Sequence, residues 1–383
     1  MLALRGSDIT VLKSCGIQIS DPVGLREDLS NSPERNQLGT IYAHRLSGRE
    51  TGEEAGRSKL IADGFVMLLT ALNHKECLMN LTYKYKTVSV EHLKELQEFI
   101  NQLDRQGKLS DNERYRNYLS PKRFTLPENF LDAKFIIILA HFTPLMVVDF
   151  LLNNKKYEAM LPPECYHTAM TNDIWIKLIE EEIIKQSGYR IEAVEPIPLK
   201  LLAVRSGLGK YGRNNICYVD QMGSFLTLCA FFTDYEFAED NWQELKMMDN
   251  CDSCRICMLE CPCDCIREEN FVIDAPKCIS WYNERNGEFP EWMDPAVHNA
   301  LLGCMRCQMS CPENDRAMEF TGRFEDIPEE ETINILNGTI GEAALESISK
   351  IFGPFTEAEL EDFTPILKRN LSALIRREVT FQP

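Results

Sequence analysis

The spacing of apolar and polar positions predicts helices and strands in alternation through the middle of the chain. Val88 to Gln106 carries apolar side chains at helical spacing with charges on the other side, which predicts an amphipathic helix. Phe135 to Leu139 is an all-apolar run, typical of a strand covered on both faces. The longer apolar stretch 135–152 is interrupted by a histidine, a proline and an aspartate. We therefore expect it to form a buried strand and a following helix, not a membrane span.

The same reasoning extends the pattern toward the cysteine-rich region. Asn172 to Gln186 predicts a second amphipathic helix, with Asn172 or Asp173 as its N-cap. A short helix is predicted at Leu199–Val204. Further strands are predicted at Arg190–Val194, Ile216–Val219 and Phe225–Phe232, the last two joined by a turn at 221–223. Helices and strands in alternation indicate an α/β or α+β domain.

The two ends of the chain differ from this middle part. Residues 1–50 are polar and predict loop, while Ala55–His74 has the spacing of a buried helix. After the last cysteine the sequence is acidic, and Glu357–Arg377 predicts a closing amphipathic helix.

Composition and charge narrow the functional class. The chain has 383 residues, of which 44% are hydrophobic and 26% charged, as in an ordinary globular protein of two or more domains. Its formal net charge of −18 disfavours a nucleic-acid partner, because such partners are bound mainly through basic surface. The N-terminus shows no export signal, so we expect a cytoplasmic protein without a membrane partner.

The densest chemical signal is a pair of cysteine runs. Cys251 to Cys261 forms C-x2-C-x2-C-x3-C-P, and Cys304 to Cys311 forms C-x2-C-x3-C-P. In two-cluster ferredoxins the first three cysteines of a run bind one [4Fe–4S] cube and the cysteine before proline binds the other. The predicted ligands are Cys251, Cys254, Cys257 and Cys311 for the first cluster, and Cys261, Cys304 and Cys307 for the second, with Cys278 as the natural fourth.

Two alternatives concern these cysteines. Zinc also binds four thiolates, but this repeated three-cysteine spacing is not that of a zinc ribbon. Cys263 and Cys265 stand where ferredoxin-like loops usually carry small residues. They are either small loop residues that happen to be cysteine, or they take part in alternative ligation or redox sensing.

A glycine-rich segment precedes the cysteines. Arg205 to Asn215 contains Gly207, Gly209 and Gly212, which allow the backbone to approach either packed chain or a ligand. The segment precedes a strand and does not open a helix after one, so it does not indicate a dinucleotide site.

Three features together resemble epoxyqueuosine reductase and its relatives, which are similar to reductive dehalogenases. They are the motif A-x-x-x-G-L-G-x-x-G-[KR]-N, the Gly-Ser-Phe at 223–225 that leads into a strand, and the split cysteine runs. The similarity is convincing over about 199–312. It implies a nitroreductase-like α+β sandwich that holds base-off cobalamin, a two-cluster ferredoxin module that delivers electrons to it, and a protonated side chain beside the corrin. The expected regions are a mostly helical part (1–110), an α/β cofactor-binding domain (111–245), a ferredoxin-like domain (246–320) and a helical tail (321–383).

The resemblance also suggests site residues. The family's acid, in D-S-A-P, corresponds to Glu195, which is either a proton donor with a pKa raised by burial or a surface carboxylate at a strand end. Tyr211 is a second candidate catalytic residue. Cofactor binding is implied for Gly207, Gly209, Lys210, Gly212, Arg213 and Asn214. The chain departs from the family's G-L-G-W-x-G-K, because Lys210 replaces the aromatic residue and Arg213 the lysine.

Other residues are weaker candidates. The histidines at 141, 167 and 298 ligate cobalt, donate protons or are structural, and the tyrosines at 115, 118 and 166 are possible pocket residues.

These observations predict an iron–sulfur reductase with two [4Fe–4S] clusters and cobalamin, which reduces a small or nucleoside-type substrate. Its electrons would come from a flavodoxin, a ferredoxin or a similar reductase. A cobalamin-free electron-transfer protein that serves a partner enzyme is the alternative. A tRNA substrate is disfavoured by the charge and by the short tail, since the tRNA-processing members continue into helical repeats. It would predict a basic groove with Arg114, Arg116, Lys122 and Arg123.

Overall fold

The computed structural model describes residues 83–120, 124–168, 170–194, 197–269 and 271–380. The strands are β1 (Tyr83–Ser89), β2 (Phe135–Phe142), β3 (Met146–Leu152), β4 (Lys155–Leu161), β5 (Ile191–Ala193), β6 (Lys210–Tyr211), β7 (Cys217–Tyr218), β8 (Leu226–Thr233) and β9 (Gly322–Arg323). The α-helices are α1 (Leu93–Arg105), α2 (Glu113–Leu119), α3 (Asn172–Leu178), α4 (Leu199–Arg205), α5 (Ile256–Leu259), α6 (Ile279–Asn283), α7 (Arg306–Met309), α8 (Asp315–Met318), α9 (Glu329–Asn337), α10 (Glu342–Phe352) and α11 (Glu357–Thr380). The predicted helix at Ala55–His74 and the predicted loop 1–50 lie outside the described residues.

A four-stranded antiparallel sheet forms the core of the fold. Its strand order is β1-β2-β8-β5, and all eight residues of β2 are buried, as the all-apolar run predicted. Because β2 lies between two neighbours and is covered on both faces, apolar side chains are favourable at every position. The architecture is therefore mixed α/β, with an antiparallel sheet.

The stretch after β2 forms a hairpin, and the prediction of a helix there is wrong. β3 pairs with β4 in antiparallel register from Met146↔Leu161 to Leu152↔Lys155. Asn153 and Asn154 connect them, and both adopt left-handed backbone angles, with φ of 52° and 60°. A two-residue loop with both residues left-handed gives the twist that an antiparallel hairpin needs, and asparagine tolerates it best after glycine. The Asn-Asn pair was the overlooked signal.

The predicted helices form with shifted boundaries. Val88 and Ser89 belong to β1, so α1 begins only at Leu93, where it buries Leu93, Leu96 and Leu103. Asn172 and Asp173 are not the N-cap of α3, because the hydroxyl of Thr171 accepts the N–H of Ile174 at 3.5 Å. The second half of that predicted helix, Ile179–Ile184, is a π-helix.

The described residues belong to one compact unit. The predicted boundary at 110/111 separates β1 from β2, yet these two strands pair along their whole length. The C-terminal part also packs back onto the body. β9 pairs with β3 in parallel, and Asn370 of α11 donates to the carbonyl oxygens of Asn283 and Leu301 at 2.8 Å each.

Among the helices that the structure describes, none combines the length and the apolar character needed to cross a bilayer.

Candidate functional site

The cysteines of the two runs gather in two groups. In the first group, burial and then the sulfurs of Cys251, Cys311 and Cys254 raise the pKa of the Cys257 thiol to about 11. Cys311 also packs with Cys251 around Tyr218. This group thus combines three cysteines of the first run with the last cysteine of the second run.

The second group contains the remaining four predicted ligands. Burial and then the charges of Cys278 and Cys261 raise the pKa of Cys304 to about 12. Cys304, Cys278 and Cys261 also contribute to raising the pKa of Cys307, after burial. Cys257 of the first group also packs beside Cys261, Cys278 and Cys307, so the two groups adjoin, and their membership is compatible with a cluster crossover. The assignment of a cube to each group stays a prediction.

Two residues of the glycine segment hydrogen-bond to the backbone of the cysteine loops. The guanidinium of Arg213 is buried and donates to the backbone carbonyls of Cys251 and Glu268. Asn214 donates to the carbonyl of Cys307 at 3.3 Å and to the hydroxyl of Tyr218 at 2.9 Å. Arg213 and Asn214 therefore each fix one cysteine loop against the sheet.

The close approach that the glycines permit is to packed chain. A Cβ on Gly209 would lie 2.6 Å from the sulfur of Cys217 and 2.8 Å from the carbonyl oxygen of Tyr218. A Cβ on Gly212 would lie 2.6 Å from the ring of Tyr218. The sequence left open whether these glycines approach a ligand or packed chain. In the structure they approach packed chain.

Lys210 and Tyr211 also have partners within the protein, and a Cβ on Gly207 would lie 2.5 Å from the side-chain nitrogen of Gln243. The Lys210 ammonium pairs with Asp249 at 3.1 Å on the surface. Tyr211 is buried and stacked on Phe271, with 4.4 Å between the ring centroids, and burial raises its pKa well above the usual value. This position gives the Tyr211 hydroxyl no access to the cavity described next. Glu195 lies outside the described residues.

A cavity of about 430 Å³ lies between the sheet and the second cysteine group. Leu199, Leu226 and Leu228 line its sheet side, and Cys261, Cys278, Cys304 and Cys307 line the opposite side. All four cysteines of the second group line it, so this volume includes the space that a cluster bound to them would fill. Of the six residues predicted to bind a cofactor, Asn214 alone is on its lining.

Lys200 is a lining residue that the sequence analysis missed. Its buried ammonium donates to the backbone carbonyl of Asn215 at 2.8 Å. Burial lowers the pKa of Lys200 to about 8, while the charges of Glu164, Cys217, Cys278 and Cys307 act in the opposite direction. A lysine inside a short predicted helix looks like a surface residue, so nothing in the local pattern indicated its position.

Two carboxylates also line the cavity. Glu164 comes from the segment after β4 and Glu284 from the end of α6, and Cys165 lies beside them. They are 120 positions apart in the sequence. Only the fold brings them together, so no sequence motif announced them. Among the tyrosines, Tyr118 lines the cavity as well.

The sulfur of Cys265 lies inside the second cysteine group. It is buried, and its distance to the sulfur of Cys261 is 3.4 Å. Cys263, two positions earlier, is only half-buried. The described residues contain no group of three His, Cys, Asp or Glu side chains arranged to hold a single metal ion.

The buried histidines lie off the cavity. His141 is on β2 beside Trp175, with ring centroids 5.1 Å apart, and His298 packs on Phe289 with centroids 4.3 Å apart. Burial lowers the pKa of each to about 4. For His298 the nearby Arg369 adds to this effect and Asp294 opposes it.

These histidines should make stability depend on pH. Below pH 6.5 the unfolded state binds protons that the folded state refuses until about pH 4, so stability falls as the pH falls through this window. For His298 we expect a loss of about 2 kcal/mol between pH 7 and pH 5. Thermal unfolding of wild type and His298→Leu over this range tests it. As the pH falls, the stability of wild type should fall more than that of the variant. Equal pH dependence of the two unfolding free energies would contradict the lowered pKa of His298.

Comparison with known proteins identifies relatives for this arrangement. Residues 250–314 match the family described as a 4Fe-4S double cluster binding domain. The chain is 27% identical to the epoxyqueuosine reductase of Cyclobacterium marinum over 242 residues, which is 62% of this chain and 71% of the relative. It is 35% identical to that of Aliivibrio fischeri over 158 residues, or 40% of each chain. The chain thus contains a 4Fe–4S binding domain, and its resemblance to epoxyqueuosine reductases is confirmed.

The fold agrees with this resemblance. A crystal structure of epoxyqueuosine reductase with an epoxyqueuosine-modified tRNA-Tyr stem loop superposes with a TM-score of 0.51 at 18% identity, covering 77% of each chain. At this identity the comparison establishes a shared fold.

Proposed function

We propose that this chain is an iron–sulfur reductase of the epoxyqueuosine reductase kind, in which two [4Fe–4S] clusters deliver electrons to the cavity. The observation that carries the proposal is that the second cysteine group forms one side of the cavity. A cluster held there would be in contact with whatever the cavity binds. The first group would then be the point where electrons enter from a flavodoxin, a ferredoxin or a similar donor.

The chemistry suits two one-electron carriers. Removing the oxygen of an epoxide as water takes two electrons and two protons. Two cubes can store one electron each, so that one loading provides both electrons. The cavity lining offers proton sources in Lys200, Glu164 and Glu284, and Glu195 remains a further candidate outside the described residues.

The lining also fits a corrinoid in its chemistry. Leu199, Leu226 and Leu228 present an apolar wall to a flat macrocycle, and the ammonium of Lys200 has protons left to donate to its polar periphery beside its bond to Asn215. When bound, the corrinoid would supply the bond-breaking chemistry at its metal. We propose these lining residues as the cofactor-binding residues instead of the glycines at 207, 209 and 212, which are packed against protein.

The substrate class follows from the relatives. They are named for epoxyqueuosine, and one of them has been crystallised with a modified tRNA stem loop. This favours a tRNA-borne nucleoside, which the net charge of −18 disfavoured. The predicted basic groove is incomplete in the described part of the chain, since Arg116 is paired with Asp104 at 2.6 Å and Asp111 at 2.7 Å, whereas Arg114 lines the cavity. We therefore propose a nucleoside-type substrate, either free or in a stem loop.

Anaerobic reconstitution tests the proposal. We expect about eight irons per chain, a change of the cobalamin spectrum at one equivalent, and loss of one oxygen from epoxyqueuosine in the presence of a reductant. Leu228→Trp should fill the cavity and abolish cobalamin binding while the iron content stays unchanged. Leu131→Trp is the matched control, because Leu131 is 71% exposed. Gly209 is unsuitable for this test, since a side chain there would collide with Cys217 and Tyr218.

A second function is favoured by one observation, namely that most of the predicted cofactor-binding residues lie off the cavity. If both clusters form but neither cobalamin nor epoxyqueuosine is bound, the chain is an electron-transfer protein for a partner enzyme. Zinc in place of iron would contradict both functions.

A further inference from the structure

We infer that the thiol of Cys265 donates a hydrogen bond to the ligand sulfur of Cys261 and raises the reduction potential of the second cluster. This inference rests on the proposed presence of that cluster. It assigns a role in tuning electron transfer to a cysteine that is not one of the eight predicted ligands.

The loop geometry places Cys265 inside the cluster site. Asp264 adopts a left-handed conformation with φ of 47°, which reverses the chain after Cys263. The carbonyl of Cys265 then accepts the N–H of Asp274 at 2.8 Å, which fixes the backbone. As a result the side chain is 3% exposed and packs beside Ile266 and Ile273, in contact with the second cysteine group.

The contact between the sulfurs of Cys265 and Cys261 fits a hydrogen bond, and it does not fit two ligands of the same cube. The Cys265 and Cys261 sulfurs are 3.4 Å apart. Two thiolates bound to different corners of a cube point away from each other, so neighbouring ligand sulfurs do not touch. Cys261, Cys278, Cys304 and Cys307 already provide four ligands. With Cys261 bound to iron as a thiolate, only Cys265 has a proton to donate.

Such a donor affects the redox equilibrium in one direction. Reduction adds negative charge to the cube and its ligand sulfurs, and a hydrogen bond to a sulfur stabilises that charge. The reduced form gains more than the oxidised form, so the potential rises. Cys263 provides a comparison in the same loop, because it is more exposed and its sulfur makes no hydrogen bond within the described residues.

Redox titration of the reconstituted full-length chain tests the inference. We expect Cys265→Ala to keep full iron and sulfide content, but to lower the reduced-to-oxidised ratio of one cluster roughly three- to tenfold at a fixed poise. Cys265→Ser keeps a donor and should restore most of the ratio. Cys263→Ala should behave as wild type. The affected signal in electron paramagnetic resonance should be the one that Cys304→Ala removes.

Two results would overturn the inference. An unchanged potential in Cys265→Ala means that the thiol does not act on the cluster. Loss of about half the iron in that variant means that Cys265 is itself a ligand. Failure of the proposed function is distinguishable from both, because it would appear as absence of one or both clusters in the wild-type chain.

Discussion

Of the two proposed clusters, replacing Cys304 with alanine should remove one and leave the other in place. Iron and sulfide should fall from about eight to about four per chain, because an open corner exposes the cube to solvent and loss. Substrate reduction should fall below detection, since the lost cluster is the one that adjoins the cavity. Cys254→Ala should instead remove the other cluster and give the complementary spectrum. Cys229→Ala, a cysteine of β8, is the control and should keep both.

The exchange of Cys261 and Cys311 between the two cysteine groups allows a more specific test. Cys311 lies four positions after Cys307 in the sequence but groups with Cys251 and Cys257 in the structure. Cys311→Ala should therefore remove the same spectroscopic signal as Cys254→Ala, and Cys261→Ala the same signal as Cys304→Ala. If the variants pair by run instead, so that Cys311 behaves like Cys304, the grouping is wrong.

The sequence was most informative where a local pattern of one residue type is compatible with few structures. The cysteine spacing predicts two sets of four ligands, because four thiolates around a cube leave few alternative arrangements. The run of Phe135 to Leu139 predicted a buried strand because the middle of a sheet accepts apolar residues at every position. Both features are local, and the sequence alone displays them.

Features that depend on distant parts of the chain were not predictable. Lys200 and Glu284 acquire their positions on the cavity only when the sheet and the cysteine region meet. The tail gave no hint that Arg369 donates to the carbonyl of Tyr282 at 2.8 Å and so braces the segment between the cysteine runs. For the glycine segment, spacing could not separate a ligand from packed chain, because both demand the absence of a Cβ.

The contact between the sheet and the second cysteine run has its own chemistry. Asn314 is fully buried, and its side-chain oxygen accepts the N–H of Ser224 at 2.7 Å. Its amide nitrogen donates to the hydroxyl of Ser224 and to the carbonyl of Gln308, both at 2.8 Å. Gly223 makes room for this contact, because a Cβ there would lie 2.2 Å from the Asn314 oxygen and 2.9 Å from the carbonyl of Glu313.

Gly223→Ala should therefore lower the free energy of unfolding by about 3 kcal/mol, partly from the left-handed backbone and partly from the collision. Gly107→Ala is the matched control, because φ is +64° there, against +58° at Gly223, and a Cβ would meet open space. It should cost only about 1 kcal/mol. Chelator-induced loss of iron should be faster in Gly223→Ala, since the second run is held less firmly.

A double-mutant cycle separates the collision from the backbone effect. Asn314→Ala leaves the N–H of Ser224 without its acceptor, and we expect a cost of about 1–3 kcal/mol. It also removes the oxygen that the alanine at 223 would strike. The double variant should therefore be more stable than the sum of the single effects predicts, by about 1 kcal/mol. Strict additivity, measured by chemical unfolding, would show that the collision with Asn314 contributes nothing, and that the cost of Gly223→Ala comes from the left-handed backbone and the carbonyl of Glu313.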